Sequence, residues 1–173
     1  QTASKHLAQL VDFAATAYRR PTTQAERDDL RSLYRTLRTQ NMAHEDAFRL
    51  TLARVLVAPA FLYRGEQPAE GEEPQPVTDW ELASRLSYFL WSTMPDRALR
   101  TRAENGALSR PDILRTEARR LLQDGRARAL ATEFACQWLH IRDFDQLDEK
   151  SERHFPEFLA LRGDMYEESV RFF

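Results

Sequence analysis

Asp79-Trp80-Glu81-Leu82-Ala83-Ser84-Arg85-Leu86-Ser87-Tyr88-Phe89-Leu90-Trp91-Ser92-Thr93-Met94-Pro95-Asp96 is the stretch whose reading decides the fold. At helical period Trp80, Ala83, Leu90, Trp91 and Met94 share one side, and Leu82, Leu86 and Phe89 carry the apolar surface round from them. Glu81, Ser84, Arg85, Tyr88 and Ser92 leave one narrow polar stripe. A helix apolar over so much of its girth is expected in a core, with a thin edge for solvent. Thr78 and Glu81 form a capping box, because hydroxyl and carboxylate each satisfy a free N–H of the first turn. Pro95 ends the run, since the residue before a proline is pushed out of helical geometry.

The same pattern extends on both sides. Leu7, Leu10, Val11, Ala14, Ala17 and Tyr18 predict an amphipathic helix over 4–18, stopped at Arg19-Arg20-Pro21. Thr23 with Glu26 opens a second helix, to about Gln40, on the stripe Leu30, Leu33, Tyr34 and Leu37. A third, from about His44 to Ala58, reads as apolar nearly all round, and Pro59 to Tyr63 as an apolar tail folded back on these three. Beyond Asp96 a short helix is predicted to end at Gly106 as its left-handed cap. Ser109 is expected to cap the next, and Asp124 one running to Ile141 on Ala127, Leu130, Ala131, Phe134 and Trp138. Residues 142–155 read as a loop, and a last helix starts near Pro156 on Phe158, Leu161, Met165, Val170, Phe172 and Phe173.

The fold class is therefore all-α, with two small helical bundles of about eight helices in total, expected to pack on each other. The first occupies 1–64, and the second, read as cut short, 79–173; residues 65–78 join them as a linker. Between Gly65 and Pro76 stand three of the eight prolines, two of the five glycines and four glutamates, too little apolar surface to order itself.

Hydrophobic residues make up 42% of the 173, enough for a core, and charged residues 30%. The net charge of −2 gives no field toward nucleic acid or an anionic membrane, and no apolar run reaches the length of a span. Cys136 is the single cysteine, which excludes an internal disulfide and a Cys-x-x-Cys-His haem attachment within these residues. The abrupt start at Gln1 and the end inside a helix at Phe173 read as a piece of a longer protein.

Three passages, Ala17-Tyr18-Arg19-Arg20-Pro21 with Leu33-Tyr34, Val55 through Arg64, and Glu81 through Asp96, resemble consecutive helical domains of unknown function. These occur in large planctomycete-type multidomain proteins that often carry a c-type haem module. Arg126 through Leu130, Phe134 through Leu139 and Phe155-Pro156-Glu157-Phe158 are similar to the second of those domains. The resemblance implies a periplasmic or extracellular parent protein, haem c elsewhere in it, neighbouring domains of the same polypeptide as partners, and an association with polysaccharide. It brings no catalytic residue and no cofactor to any position of this chain.

The residues themselves offer weak candidates for chemistry. Asp143-Phe144-Asp145-Gln146-Leu147-Asp148-Glu149 invites calcium, but Leu147, Asp148 and His154 stand where the calcium-loop pattern needs a ligand, glycine and glutamate. His6, His44, His140 and His154 lack the close spacing that zinc asks for. The tryptophans favour core packing over a sugar platform. Cys136 favours a buried thiol over a nucleophile. Glu133 and Asp143 as a glycosidase pair have no separation readable from sequence, and the arginines from Arg110 to Arg128 are interleaved with acids. Tyr88, His140, Asp143 and His154 remain the candidates for ligand contact, with no catalytic, cofactor or metal residue assigned. The expected role is a non-catalytic structural or interaction module; the rival is part of a carbohydrate-active oxidoreductase whose site lies partly elsewhere.

Overall fold

The computed structural model describes residues 2–66, 75–148, 150–151 and 153–173. Most of the predicted linker, residues 67–74, lies outside the described residues, as does Glu149 of the acidic loop. The fold is all-α: the regular elements among the described residues are helical, and no strand is present among them. The chain divides into two compact units, residues 1–81 and 82–173.

The first unit holds α1 (Thr2–Ala17), α2 (Gln24–Thr39), α3 (His44–Leu56) and the single turn α4 (Pro59–Leu62). Leu10, Val11, Ala14, Ala17 and Tyr18 of the first helical segment meet Leu30, Val55 and Ala58, with Phe48, Leu52, Ala60 and Phe61 against them. The tail after α3 thus folds back as expected, though Leu62 and Tyr63 stay exposed. α3 is less buried than its composition predicts. Ala47, Thr51 and Val55 line its covered side, whereas Leu50, Leu56 and Val57 face solvent, because α1 and α2 flank one side of it only. Buried Thr51 satisfies its hydroxyl by donating to the Ala47 carbonyl at 2.7 Å.

The turn between α1 and α2 is held by two adjacent arginines with different tasks. Arg19, 7% exposed and left-handed at φ 60°, donates to the carbonyls of Ala60 (2.7 Å), Phe61 (3.2 Å) and Tyr63 (2.9 Å). Arg20 grips Glu26 in bidentate fashion at 3.0 and 2.8 Å. Glu26 also accepts from the Thr23 N–H at 2.7 Å while its own N–H donates to Thr23 Oγ1 at 3.1 Å, which completes the predicted capping box. The Arg20 hydrogen bonds, aided by the Thr23 N–H and opposed by partial burial, pull the Glu26 carboxyl down to about 2.

The second unit contains most of α5 (Asp79–Trp91), then α6 (Arg97–Glu104), α7 (Pro111–Leu122), a π-helical turn Leu130–Ala135 leading into α8 (Cys136–Trp138), and α9 (Phe158–Phe172). The Thr78–Glu81 capping box is present, the Thr78 N–H reaching Glu81 at 2.7 Å and the Glu81 N–H reaching Thr78 Oγ1 at 3.3 Å. α5 is not wrapped in apolar contacts as its pattern predicts. Ala83, Ser87, Leu90 and Trp91 are buried, but Phe89 is 59% exposed and Met94 is exposed too. Trp91 donates its indole N–H to the Leu121 carbonyl at 2.8 Å, and the Arg126 guanidinium lies 3.5 Å from its ring centre.

α6 and α7 are joined by ions. Asp96 caps α6 by accepting from the Leu99 N–H at 2.9 Å and takes Arg120 at 2.7 and 3.1 Å. Burial alone raises the Asp96 carboxyl, but Arg120 and the Leu99 N–H outweigh it and leave it below its ordinary value. Arg120 also reaches Glu117 at 2.7 Å, and Glu117, 4% exposed, takes Arg102 at 3.3 Å as well. α7 begins at Pro111 with Arg110 at its cap, not Ser109, because a proline's fixed φ suits the first helical position.

The largest departure lies between Asp124 and Ile141. Asp124 caps a short 3₁₀ turn, Gly125–Ala127, and the chain then enters the π turn rather than an unbroken α-helix. One extra residue per turn rotates the register, so Ala131, Ala135 and Cys136 are buried while Phe134 and Trp138 point outward. Ala131 and Cys136 pack with Val170 of α9, backed by Ile141 and Tyr166. Of the stripe predicted for α9, Val170 alone is buried; Leu161, Met165, Phe172 and Phe173 are exposed.

Arg120→Ala removes the shorter of the two contacts to buried Glu117, leaving it only Arg102, and frees Asp96 of its cation; it is expected to cost about 2 kcal/mol in urea unfolding, the partial exposure of Arg120 holding the loss below that of a fully buried pair. Arg102→Ala, removing the longer contact, is expected to cost less; equal losses would refute the ranking. Glu26 has a depressed folded pKa, so its contribution is present above the ordinary carboxylate value of 4.5 and fades as pH falls toward about 2. Glu26→Gln is therefore expected to be less stable by on the order of 2 kcal/mol at pH 7, with the gap closing as the solution is acidified below pH 4. A gap unchanged from pH 7 to pH 2 would contradict this.

Candidate functional site

Two clusters stand out, one in each unit. In the first unit, α1, α2 and α3 each send a polar ring to one point. His6 Nδ1 lies 3.1 Å from His44 Nε2, and Tyr34 Oη lies 2.8 Å from His44 Nδ1. Phe48 stands against both imidazoles, with centroids 6.2 and 6.1 Å away. Tyr34 is buried and both histidines are half-buried, so the chain of contacts begins in the core and ends at the surface. Spacing gave no hint of this pair, because its members are 38 residues apart and meet only when α3 docks on α1. The helical phase of Tyr34, on the buried stripe of α2, is the one signal that pointed there.

In the second unit, Phe89, Phe134 and Trp138 form an exposed aromatic row. They are 59%, 54% and 67% exposed. Phe89 and Phe134 lie 6.3 Å apart at 57°, and Phe134 and Trp138 6.4 Å apart and nearly parallel at 21°. Leu139, next in the chain, is exposed as well, and the ion pair of Arg142 with Glu133, at 3.4 Å, shares the segment. Trp91, by contrast, is a core residue, as favoured from sequence.

The four residues singled out from sequence are Tyr88, His140, Asp143 and His154. Tyr88 is half-buried on α5. His140 is exposed and left-handed at φ 56°; it ends α8, with its N–H donating to Gln137 and the next N–H, of Ile141, to Cys136 at 2.8 Å. Asp143 is exposed at the start of a short turn whose Phe144 packs edge-on against Phe158. His154 is exposed and bonds Ser151 Oγ at 3.1 Å in its own loop. Among the described residues no group of three or more His, Cys, Asp and Glu is placed to hold a metal ion. Glu133 is engaged by Arg142, and Arg110, Arg120, Arg126 and Arg128 are each paired with a carboxylate. Cys136 is buried; the Tyr166 hydroxyl, raised by its own burial and by a hydrogen bond to Cys136, is its neighbour.

Fold and clusters together define a tandem of helical domains. Residues 77–173 match the family described as PSD4, protein of unknown function (DUF1592), and residues 7–66 match PSD5, protein of unknown function (DUF1595). The chain belongs to the PSD4 family, with a PSD5 domain ahead of it. Among curated proteins and among solved structures, no match to the chain was found. No helix among the described residues is long and apolar enough to cross a membrane.

The hydroxyl of Tyr34 can be tested by stability alone. Tyr34→Phe is expected to cost about 1 kcal/mol in denaturant unfolding, and much less when His44 is already alanine. Additive losses would show that the two groups do not interact.

Proposed function

We propose that the chain is a structural and interaction module of a larger secreted polypeptide, one that also carries a c-type haem domain, and that it positions neighbouring domains rather than performing chemistry of its own. The observation that supports this reading is the row Phe89, Phe134 and Trp138. Three exposed rings in contact are more apolar surface than a solitary surface aromatic presents, and patches of this kind mark binding faces. Each ring buries about 150–250 Å² when covered. Aromatic anchors at the centre of an interface cost about 2 kcal/mol or more when truncated. Arg102, Arg110, Arg120, Arg126 and Arg128 are engaged in ion pairs within the unit, whereas the faces of the three rings are open.

A second reading rests on the near-parallel rings of Phe134 and Trp138, whose faces also suit stacking on the apolar face of a sugar. On that reading the module helps a carbohydrate-active oxidoreductase hold polysaccharide.

The double variant Phe134→Ala/Trp138→Ala separates the readings. Its thermal midpoint is expected to stay within a few degrees of the parent chain, because both side chains are exposed. Its affinity for the haem-bearing remainder of the polypeptide, measured calorimetrically, is expected to fall at least tenfold; undiminished affinity would sink the proposal. Tryptophan fluorescence titrated with cell-wall and algal polysaccharides tests the second reading, which requires a response that Trp138→Ala abolishes.

A further inference from the structure

We propose that His6 and His44 form a two-imidazole site for a divalent transition metal ion of the copper or zinc type. The two nitrogens face each other at 3.1 Å, while the ring centres are 5.3 Å apart. Because the centres are so much farther apart than the facing atoms and the ring planes differ by 23°, the rings meet edge to edge, nitrogen facing nitrogen at hydrogen-bond distance. With metal–nitrogen bonds of about 2.0–2.1 Å, two imidazole nitrogens are separated by about 3.3 Å at a tetrahedral angle and about 2.9 Å at a right angle. The observed spacing falls between the two. An ion enters by a swing of the half-buried rings that makes their lone pairs converge, with little change in the distance between them.

The surroundings supply what such a site needs. A ligating histidine ordinarily donates its other N–H to a fixed acceptor, which sets the tautomer. Tyr34 Oη, buried and 2.8 Å from His44 Nδ1, is that acceptor when His44 ligates through Nε2. Phe48 stands against both rings, and the partial exposure of the histidines leaves the other coordination positions to water or an anion. The field is mixed. His44 opens α3, where the helix end disfavours a cation, but Glu45 and Asp46 in the same turn counter it, although Arg49 pairs with both. The pair joins the first and third helices, so an ion bound there clamps the first unit and stabilises it by mass action.

The test uses the whole chain with copper(II) or zinc(II) salts alone. One equivalent of copper(II) is expected to bind per chain at neutral pH, with two nitrogens seen in its electron paramagnetic resonance spectrum. Zinc is expected to raise the thermal midpoint of the first unit by several degrees, and binding weakens on acidification because protons compete for the same nitrogens. His6→Gln keeps a hydrogen-bonding side chain beside His44 and is expected to bind at least tenfold more weakly and to lose the two-nitrogen signature. His140→Ala/His154→Ala is expected to bind like the parent. Binding unaffected by His6→Gln, binding abolished by the His140/His154 double variant, or no binding at all would each overturn the proposal.

Discussion

The guanidinium of Arg19 is the contact on which the first unit turns. It collects three carbonyls, those of Ala60, Phe61 and Tyr63, at the end of a single helical turn too short to satisfy its own carbonyls. The left-handed backbone at Arg19 costs about 1–2 kcal/mol. Hydrogen bonds from a charged donor contribute about 1.5–3 kcal/mol each, so three of them outweigh that strain. The consequence is topological: the chain end after α3 is tied to the corner after α1, and Phe61 is held on the core. A lysine would bring charge but not the planar fork that spans several acceptors. Arg20, one residue on, points to Glu26 instead and fixes where α2 begins.

Much of this architecture was legible. Capping boxes at Thr23 and Thr78 announce themselves by a local pairing of two side chains three residues apart, and both are present. Gly106 at φ 62° ends α6 as expected, since only a left-handed residue closes that turn cheaply. The all-α class needed only the absence of alternating patterns and the abundance of helical ones. Degree of burial was less legible. Phe89, Leu50 and Leu161 are apolar residues on helices with too few neighbours to cover them, and composition counts residues, not neighbours. The candidate sites were legible least of all. Tyr88, His140, Asp143 and His154 stand out by chemistry and local position, whereas the His6–His44 contact is made by packing across 38 residues.

Left-handed residues close five of the helices. Arg19, Asn41, Ser92, Gly106 and His140 follow α1, α2, α5, α6 and α8 respectively, and each has positive φ. After α2, α6 and α8 the two residues past the cap return their N–H groups to the final turn, as at Asn41 and Met42, Gly106 and Ala107, and His140 and Ile141. His140 therefore has a sufficient reason to be where it is without a ligand. A polar side chain tolerant of that conformation serves as a stop, and imidazole is among those enriched there.

The π turn at Leu130–Ala135 links backbone to surface most directly. In an unbroken α-helix Ala127, Leu130, Ala131, Phe134 and Trp138 share one face, and that face would be the covered one. Inserting one residue into the turn moves the covered line to Ala131, Ala135 and Cys136, a spacing of five between the first and last. Small side chains on that line let the segment lie against Val170 of α9. The same rotation carries Phe134 and Trp138 outward, beside Phe89. The buried thiol and the exposed aromatic row are thus two results of one local change in helical pitch, and reverting the turn to α geometry would exchange them.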